Sequence, residues 1–276
     1  MREINLAQLK EIQLGILRAV AQFCRKNSIR FWLDSGTLLG AVRHKGYIPW
    51  DDDIDIGMFR SDYNKMIKTF NQCHDRYQFM CLEIDDNFYL PHAKVFDRNT
   101  ILFEPDENGA RIYVNIDVFV FDNAPDNNEM LKRMYDKRDF YRNVYYVQTG
   151  QAAVTGSFLK VFLGKMYIKA VSAVGNNYAV HKMAENSKKY AGRHTKRVGS
   201  FTSYTRMACN KSAFNHFIDI EFEGELYPVP AGYDELLRSY YGEYMRLPPV
   251  EKRVSHHSFR AFLPEQENAE SGDGKT

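Results

Sequence analysis

Apolar residues at Leu9, Ile12, Ile16, Leu17, Val20, Phe23 and Cys24 recur at three- and four-residue steps, which predicts an amphipathic helix of about 20 residues. The stretch "RFWLDSG" at 30–36 reads as a short buried strand, and "TLLGAVRH" just after Gly36 as a helix. Pro49 restricts Ile48, so 47–50 is a loop or an extended entry. Asp53-Ile54-Asp55-Ile56 has the two-residue period of a strand, predicted over 53–57, with acids on one face and isoleucines on the other. A helix near 60–72 follows, then strands at 77–84, 89–96, 100–104 and 111–121, the last rich in β-branched and aromatic residues. From about position 126 helical patterns take over, at 126–147, 154–175, 177–191 and 231–241. The polar end of the chain, 263–276, reads as a disordered tail. The fold class is therefore α+β. A mixed-sheet core flanked by helices occupies 1–125, and a mainly helical C-terminal region that completes the substrate site occupies 126–262.

Composition narrows the class without choosing a function. The 276 residues suffice for a sizeable core, and 44% hydrophobic with 26% charged is ordinary for a globular chain. A net charge of +2 sets up no field that would favour nucleic acid as a partner. The basic cluster Arg193, His194, Lys196 and Arg197 reads as solvated surface, with contact to an anionic acceptor as the alternative. Cys24, Cys73, Cys81 and Cys209 show no metal-type or redox-type spacing and read as reduced thiols of a cytoplasmic protein. The N-terminus is charged from its second residue and has no apolar run of the signal-peptide kind. Residues 153–174 come nearest to a membrane segment, but Lys160, Lys165 and Lys169 interrupt them; a buried helix is preferred to an interfacial one. Peripheral contact at the inner face of a membrane stays open.

The chemistry concentrates between Gly36 and Gly57, in "GTLLGAVRHKGYIPWDDDIDIG". Four aspartates within five positions repel one another unless a cation sits among them. Asp53 and Asp55 point the same way from a strand. Asp117, inside the apolar run "NIDVF", is a poor strand residue unless paired or metal-bound. Three converging carboxylates suit a hard divalent ion, Mg²⁺ or Mn²⁺. An EF-hand does not fit, because Ile56 stands where that loop needs glycine. Asp51 and Asp52 are expected to orient the loop or hold a water. The turn Ser35-Gly36-Thr37 would present a bare backbone, a hydroxyl and the free N–H groups of a helix start to a phosphate. Arg43, Lys45 and Lys94 are the candidate cations for the phosphoryl oxygens, and His44 is expected to be structural. Trp32, Tyr47, Trp50, Tyr89, Tyr204, Tyr240 and Tyr241 are the available material for an aromatic cage around a cationic ligand group. His256 and His257 read as a cap or an acceptor contact rather than a zinc site.

A Gly-Thr turn, two alternating acids and a later in-strand acid together form the layout of a nucleotidyltransferase-like core. "FWLDSGTLLGAVRHKGYIPWDDDIDIGMFRSDY", "KVFDRNT", "NIDVFVFDNAP" and "YDELLRSYYGEYMRLPPVEKR" resemble the LicD family of phosphocholine transferases, which is related to the fukutin-type ribitol-phosphate transferases. The resemblance implies an Mg²⁺-dependent transfer of phosphocholine, or a similar phospho-alcohol, from CDP-choline with release of CMP. The acceptor it implies is a sugar hydroxyl of a cell-surface glycan precursor, of the teichoic-acid or lipopolysaccharide kind, free or lipid-linked. Asp53, Asp55 and Asp117 would be the metal ligands and catalytic acids, with Asp117 helping to draw the acceptor's proton. The alternatives are a metal-dependent glycosyltransferase using a nucleotide sugar and a non-catalytic nucleotide-binding protein.

Overall fold

A computed structural model describes residues 1–103, 111–175, 177–254 and 260–264. The first helix, α1 (Leu6–Lys26), starts where Asn5 and Gln8 cap each other: Gln8 N–H donates to Asn5 Oδ1, and Asn5 N–H donates to Gln8 Oε1. Its predicted stripe is buried as expected. Ile16, Leu17 and Val20 are fully covered, each contributing about 1.5–3 kcal/mol by leaving water. They pack on the sheet that carries the acids.

That sheet has seven strands: β2 (Trp32–Leu33), β3 (Asp55–Phe59), β4 (Tyr77–Met80), β5 (Ala93–Asp97), β8 (Asn115–Ala124), β9 (Arg197–Ser200) and β10 (Met207–Asn210). Strand β8 organises it. On one edge β3 runs parallel, with Asp55 beside Asp117 through Phe59 beside Phe121. On the other edge β5 pairs antiparallel with the first half of β8, and β9 with the second half. A smaller sheet, in the order β1 (Arg2–Ile4), β13 (Arg260–Leu263), β6 (Ile101–Phe103) and β7 (Arg111–Ile112), joins the start of the chain to its far end. A hairpin of β11 (Phe217–Phe222) and β12 (Glu225–Pro230) forms its own two-stranded sheet and packs on β2 and on the helix at 35–44. The remaining helices are α2 (Ser35–His44), α3 (Arg60–Thr69), α4 (Asn128–Gln148), α5 (Phe158–Val174), α6 (Tyr178–Ser187) and α7 (Tyr233–Tyr241). The α+β class holds.

Trp32 shows why the sheet is so closely packed at this point. Its indole is fully buried among Phe59, Phe121, Phe214 and Phe217. It lies flat enough on β3 that a Cβ at Gly57 would fall 2.3 Å from its Nε1, so only glycine fits there. Trp32 is therefore core and not part of an aromatic cage.

Several boundaries differ from the pattern. The acid strand begins at Asp55 and not at 53, leaving Asp51, Asp52 and Asp53 in a turn. The long run predicted over 111–121 is split into β7 and β8. Strands β9 to β12 lie outside the predicted elements. β9 and β10 have only four residues each and β12 is broken by Pro228 and Pro230, whereas β11 alternates Ile218, Ile220 and Phe222 with Asp219 and Glu221 and is open to pattern reading. Helix α5 is not buried. It rests on α4 and α6 through Ile168 and Val171 and turns Phe158, Leu159, Phe162, Leu163 and Met166 to solvent. His256, His257 and the tail from 265 lie outside the described residues, whereas Leu263 ends β13.

Candidate active site

The register of three strands builds the site. Asp55 on β3 and Lys94 on β5 are both cross-strand neighbours of Asp117 on β8, so the three side chains stand in a row on one face of the sheet. Lys94 Nζ lies 2.7 Å from Asp117 Oδ1 and donates to Asn115 Oδ1 at 2.8 Å. His92 Nε2 lies 3.3 Å from Asp117 Oδ2, and the ring is buried against Phe119. Burial alone would raise the Asp117 pKa, but Lys94 and His92 outweigh it and hold the carboxyl well below the usual range.

Asp55 is in the opposite condition. It is buried, and no hydrogen-bond donor among the described residues meets its carboxylate. Burial first, then the like charges of Asp53 and Asp117, push its pKa well above the ordinary value. Its backbone is fixed by the turn before α2: its N–H donates to Thr37 Oγ1 at 2.8 Å, and its carbonyl accepts from Asp34 N–H at 3.0 Å. Ser35 takes a positive φ of 46° in this turn. Asp34 itself is sealed from solvent, and burial raises its pKa to about 6 although the Tyr240 hydroxyl donates to it at 3.0 Å.

The turn at 51–53 forms the third part. Among the described residues, only Asp51, Asp52 and Asp53 bring three ligand oxygens within 4.8 Å of one another. Asp51 fits over the start of α2, where a Cβ at Gly36 would come 2.8 Å from its Oδ2. Gln13 Nε2 donates to the Asp52 carbonyl at 2.9 Å and holds the turn from α1. Lys10, one helical turn before, faces the same acids; burial lowers its pKa, and Asp51, Asp52 and Asp53 oppose that.

These groups open on one cavity of about 660 Å³. Asp52, Asp53, Asp55, Asp117, Lys94 and Ser35 line one side. Tyr145 and Tyr146 from α4, and Tyr204 from the β9–β10 loop, line it too, as does Tyr241 of α7. The structure thus sets Asp53, Asp55, Asp117, Lys94 and Ser35 on one cavity, although the ligand oxygens of Asp53, Asp55 and Asp117 do not all come within 4.8 Å of one another as those of Asp51, Asp52 and Asp53 do. Gly36 and Thr37 are close, but Asp51 occupies the bare face of Gly36, and the Thr37 hydroxyl serves the Asp55 backbone.

Arg43 and Lys45 do not join the site. They sit at the C-terminal end of α2, about 12 Å or more along the helix from Ser35. Arg43 donates to the Tyr244 carbonyl at 2.7 Å and to His44 Nε2 at 3.0 Å. Lys45 is 75% exposed and lies 3.6 Å from Glu221. Asp51 and Asp52, expected to orient the loop or hold a water, stand together with Asp53. The sequence did not single out Lys10, Asn115, Tyr145 or Tyr146. Asn115 was within reach of pattern reasoning, since it shares a strand face with Asp117 two positions on; the tyrosines of α4 were not, because helix α4 meets the sheet only through tertiary packing.

Oxygen-only donors around a carboxylate with no hydrogen-bond donor fit a hard divalent cation, and the chemistry they allow is the binding of a polyphosphate. Residues 28–151 match the family model described as LicD/FKTN/FKRP, nucleotidyltransferase domain. The lipopolysaccharide cholinephosphotransferase LicD of Haemophilus influenzae is 31% identical over 271 residues, covering 95% of this chain and 100% of that protein. The human ribitol 5-phosphate transferase FKRP is 53% identical over 49 residues, 18% of this chain and 8% of its own length. Human ribitol-5-phosphate transferase FKTN is 40% identical over 52 residues, 19% and 11% of the two chains. With a likeness that runs nearly from end to end and a domain match centred on the acids, the chain belongs to the LicD family.

Proposed function

We propose that this protein transfers a phospho-alcohol, phosphocholine in the leading reading, from a CDP-activated donor to a hydroxyl of a glycan precursor, releasing CMP. The row Asp55–Asp117–Lys94 at the floor of a cavity walled by tyrosines carries the reading, together with relatives named for cholinephosphate and ribitol-phosphate transfer. Asp53, Asp55 and Asp117 would hold Mg²⁺ or Mn²⁺, which supplies neutralisation of the charge that develops on a departing nucleoside phosphate. Lys94 and His92 keep Asp117 ionised. That suits Asp117 to holding a cation and makes it a weak proton acceptor, which takes support away from a proton-drawing role. Lys94 likewise acts through Asp117 and Asn115 and not as a free cation for the phosphoryl oxygens.

The tyrosine wall fits the other end of the donor. Tyr145, Tyr146 and Tyr204 offer ring faces for a quaternary ammonium, or for stacking, with the hydroxyls at hand for a polyol. The acceptor then enters from the open side of the cavity.

The test is CMP release from CDP-choline by the purified protein, with and without Mg²⁺, beside Asp53→Ala and Asp55→Ala. We expect metal-dependent CMP and phosphocholine, reduced about 100-fold or more in either variant. Turnover of a CDP-polyol in place of CDP-choline keeps the mechanism and changes the alcohol. Release of a nucleoside diphosphate from a nucleotide sugar would make the protein a glycosyltransferase, and nucleotide binding without turnover would make it a binding protein.

A further inference from the structure

We infer that α5 is a docking helix for an anionic lipid surface, packed behind the α4 tyrosines that line the active-site cavity. Its apolar side chains face outward: Phe158 is 87% exposed, Leu159 64%, Phe162 52%, Leu163 55% and Met166 56%. Single exposed apolar residues are normal, but five large ones on one helix form a patch that a protein surface leaves open only for a partner. At 100° per residue they share one broad arc, because Phe158, Phe162 and Met166 are four apart and Leu159 and Leu163 follow one position behind. Phe140 of α4, 51% exposed, extends the patch through its ring contact with Tyr167 at 5.8 Å.

Charge identifies the partner. Lys165 borders the arc on one edge, Lys160 lies beyond the other, and Lys169 follows Met166 one turn on along the arc itself, all three exposed. From residue 140 to 184 the chain carries no Asp or Glu; Arg142 and Lys182 pair with Asp139 and Glu185 just outside it, so the positive charge of the patch is that of Lys160, Lys165 and Lys169. An apolar face rimmed by lysines whose stems can lie along it while the ammonium groups reach phosphate is the pattern of a helix lying in a bilayer interface. A second copy of the chain fits less well. A two-fold contact would set the same lysines against each other with no acid on the helix to pair them. No helix among the described residues is long and apolar enough to cross a membrane, so the contact is with the surface.

The placement gives the surface a use. The inner side of α5, Ile168 and Val171, packs with Tyr145 and Tyr146, which line the cavity, and Gln148 Nε2 donates to Ser172 Oγ at 3.1 Å. One helix, α4, separates α5 from the cavity, so a bilayer held on α5 would bring an acceptor carried on a lipid to the neighbourhood of the site. This last step rests on the transferase reading; the docking itself rests on exposure and charge alone.

Vesicle sedimentation with the full chain tests it without donor or turnover. The protein should sediment with phosphatidylcholine vesicles containing about 30 mol % phosphatidylglycerol and stay in solution with phosphatidylcholine alone. Phe162→Glu with Leu163→Glu should weaken binding about tenfold or more. Lys160→Gln with Lys165→Gln and Lys169→Gln should remove the preference for anionic lipid and its salt dependence. All these side chains are exposed, and thermal unfolding checks that both variants keep the fold. Absence of binding to anionic vesicles, or binding unchanged by both variants, overturns the inference. A dimer in sedimentation equilibrium that Phe162→Glu dissolves also overturns it, in favour of a contact between copies. A protein that binds these vesicles yet releases no CMP would fail the transferase reading and leave the docking helix standing.

Discussion

Lys94 is a residue whose pattern gives two answers. In an isolated strand an occasional lysine is most often solvent-facing, and nothing local marks this one as different. Its partner was legible: Asp117 stands among Ile116, Val118 and Phe119, where an unpaired carboxylate is unfavourable. The pairing of β5 with β8 that joins the two is set by long-range packing, which no window of sequence contains. The ion pair at 2.7 Å, with Asn115 as a second acceptor, predicts a clear cost for removing one side. Lys94→Met leaves Asp117 with His92 alone and should destabilise the fold by about 3 kcal/mol, as an uncompensated buried charge does. Adding Asp117→Asn should return most of that loss, because the stranded charge is gone. Urea midpoints of the two single variants and the double variant decide the matter. A loss below about 1 kcal/mol in Lys94→Met would mean that the lysine is not what keeps Asp117 in place.

At the scale of elements, the sequence predicts where helices lie better than which way they face. The 3.6-residue period located α1 and α3 through α7 to within a few positions, because apolar spacing alone sets it. For α5 that spacing could not separate a face turned inward from one turned outward, and the structure shows both. The attachment of the helical region to the sheet was also unreadable, since it depends on charges far apart in the chain. Arg60 at the start of α3 makes a two-pronged contact with Asp122 of β8, at 2.6 and 2.9 Å, and the Ser187 hydroxyl at the end of α6 also donates to Asp122. Glu83 extends the cluster. Lys188 lies 2.8 Å from it and Arg60 3.2 Å, and the Tyr63 hydroxyl donates at 3.1 Å. Burial would raise the Glu83 pKa, but Lys188 and Arg60 together bring it below the ordinary 4.5. A carboxyl lowered on folding stabilises the native state above its unfolded pKa, and that stability is lost as pH falls through the folded value. Glu83→Gln should therefore be less stable than wild type at pH ~7, by about 1 kcal/mol, with the gap closing between pH ~5 and ~3. Denaturant midpoints across that window measure it; a gap that does not change with pH would show that the charge of Glu83 contributes nothing.

The whole molecule is arranged around one strand that serves two regions. The first half of β8 carries Asp117 and Lys94's strand, and its second half receives β9, so the sheet that holds the acids continues into the part of the chain that supplies Tyr204. The α+β core with its acid pair was legible because carboxylates in apolar strands are rare and their reason is chemical. The closure of β1 on β13, reinforced by Arg260 and Glu3 at 2.9 Å, was not, since three-residue strands carry no period to read. The proposed cation site carries a prediction for the stability of the entire fold. Asp51, Asp52 and Asp53 lie together, and Asp55 is pushed toward protonation by burial and then by its acidic neighbours, so the native state without a cation holds a cost that the unfolded chain does not. A cation that binds only the folded form removes it. At about 100 times its Kd, Mg²⁺ or Mn²⁺ should add about 2.7 kcal/mol, a rise in Tm of about 5 °C for a chain of this length. In chelator, Asp55→Asn should melt above wild type, because it relieves the repulsion, and it should gain little when the cation is added. Two further variants locate the ion. Asp51→Asn weakens the response if the cation sits in the 51–53 turn, whereas Asp117→Asn weakens it if the cation lies across the strands. A cation response that survives Asp53→Asn, the residue common to both groups, would move the ion away from this site altogether.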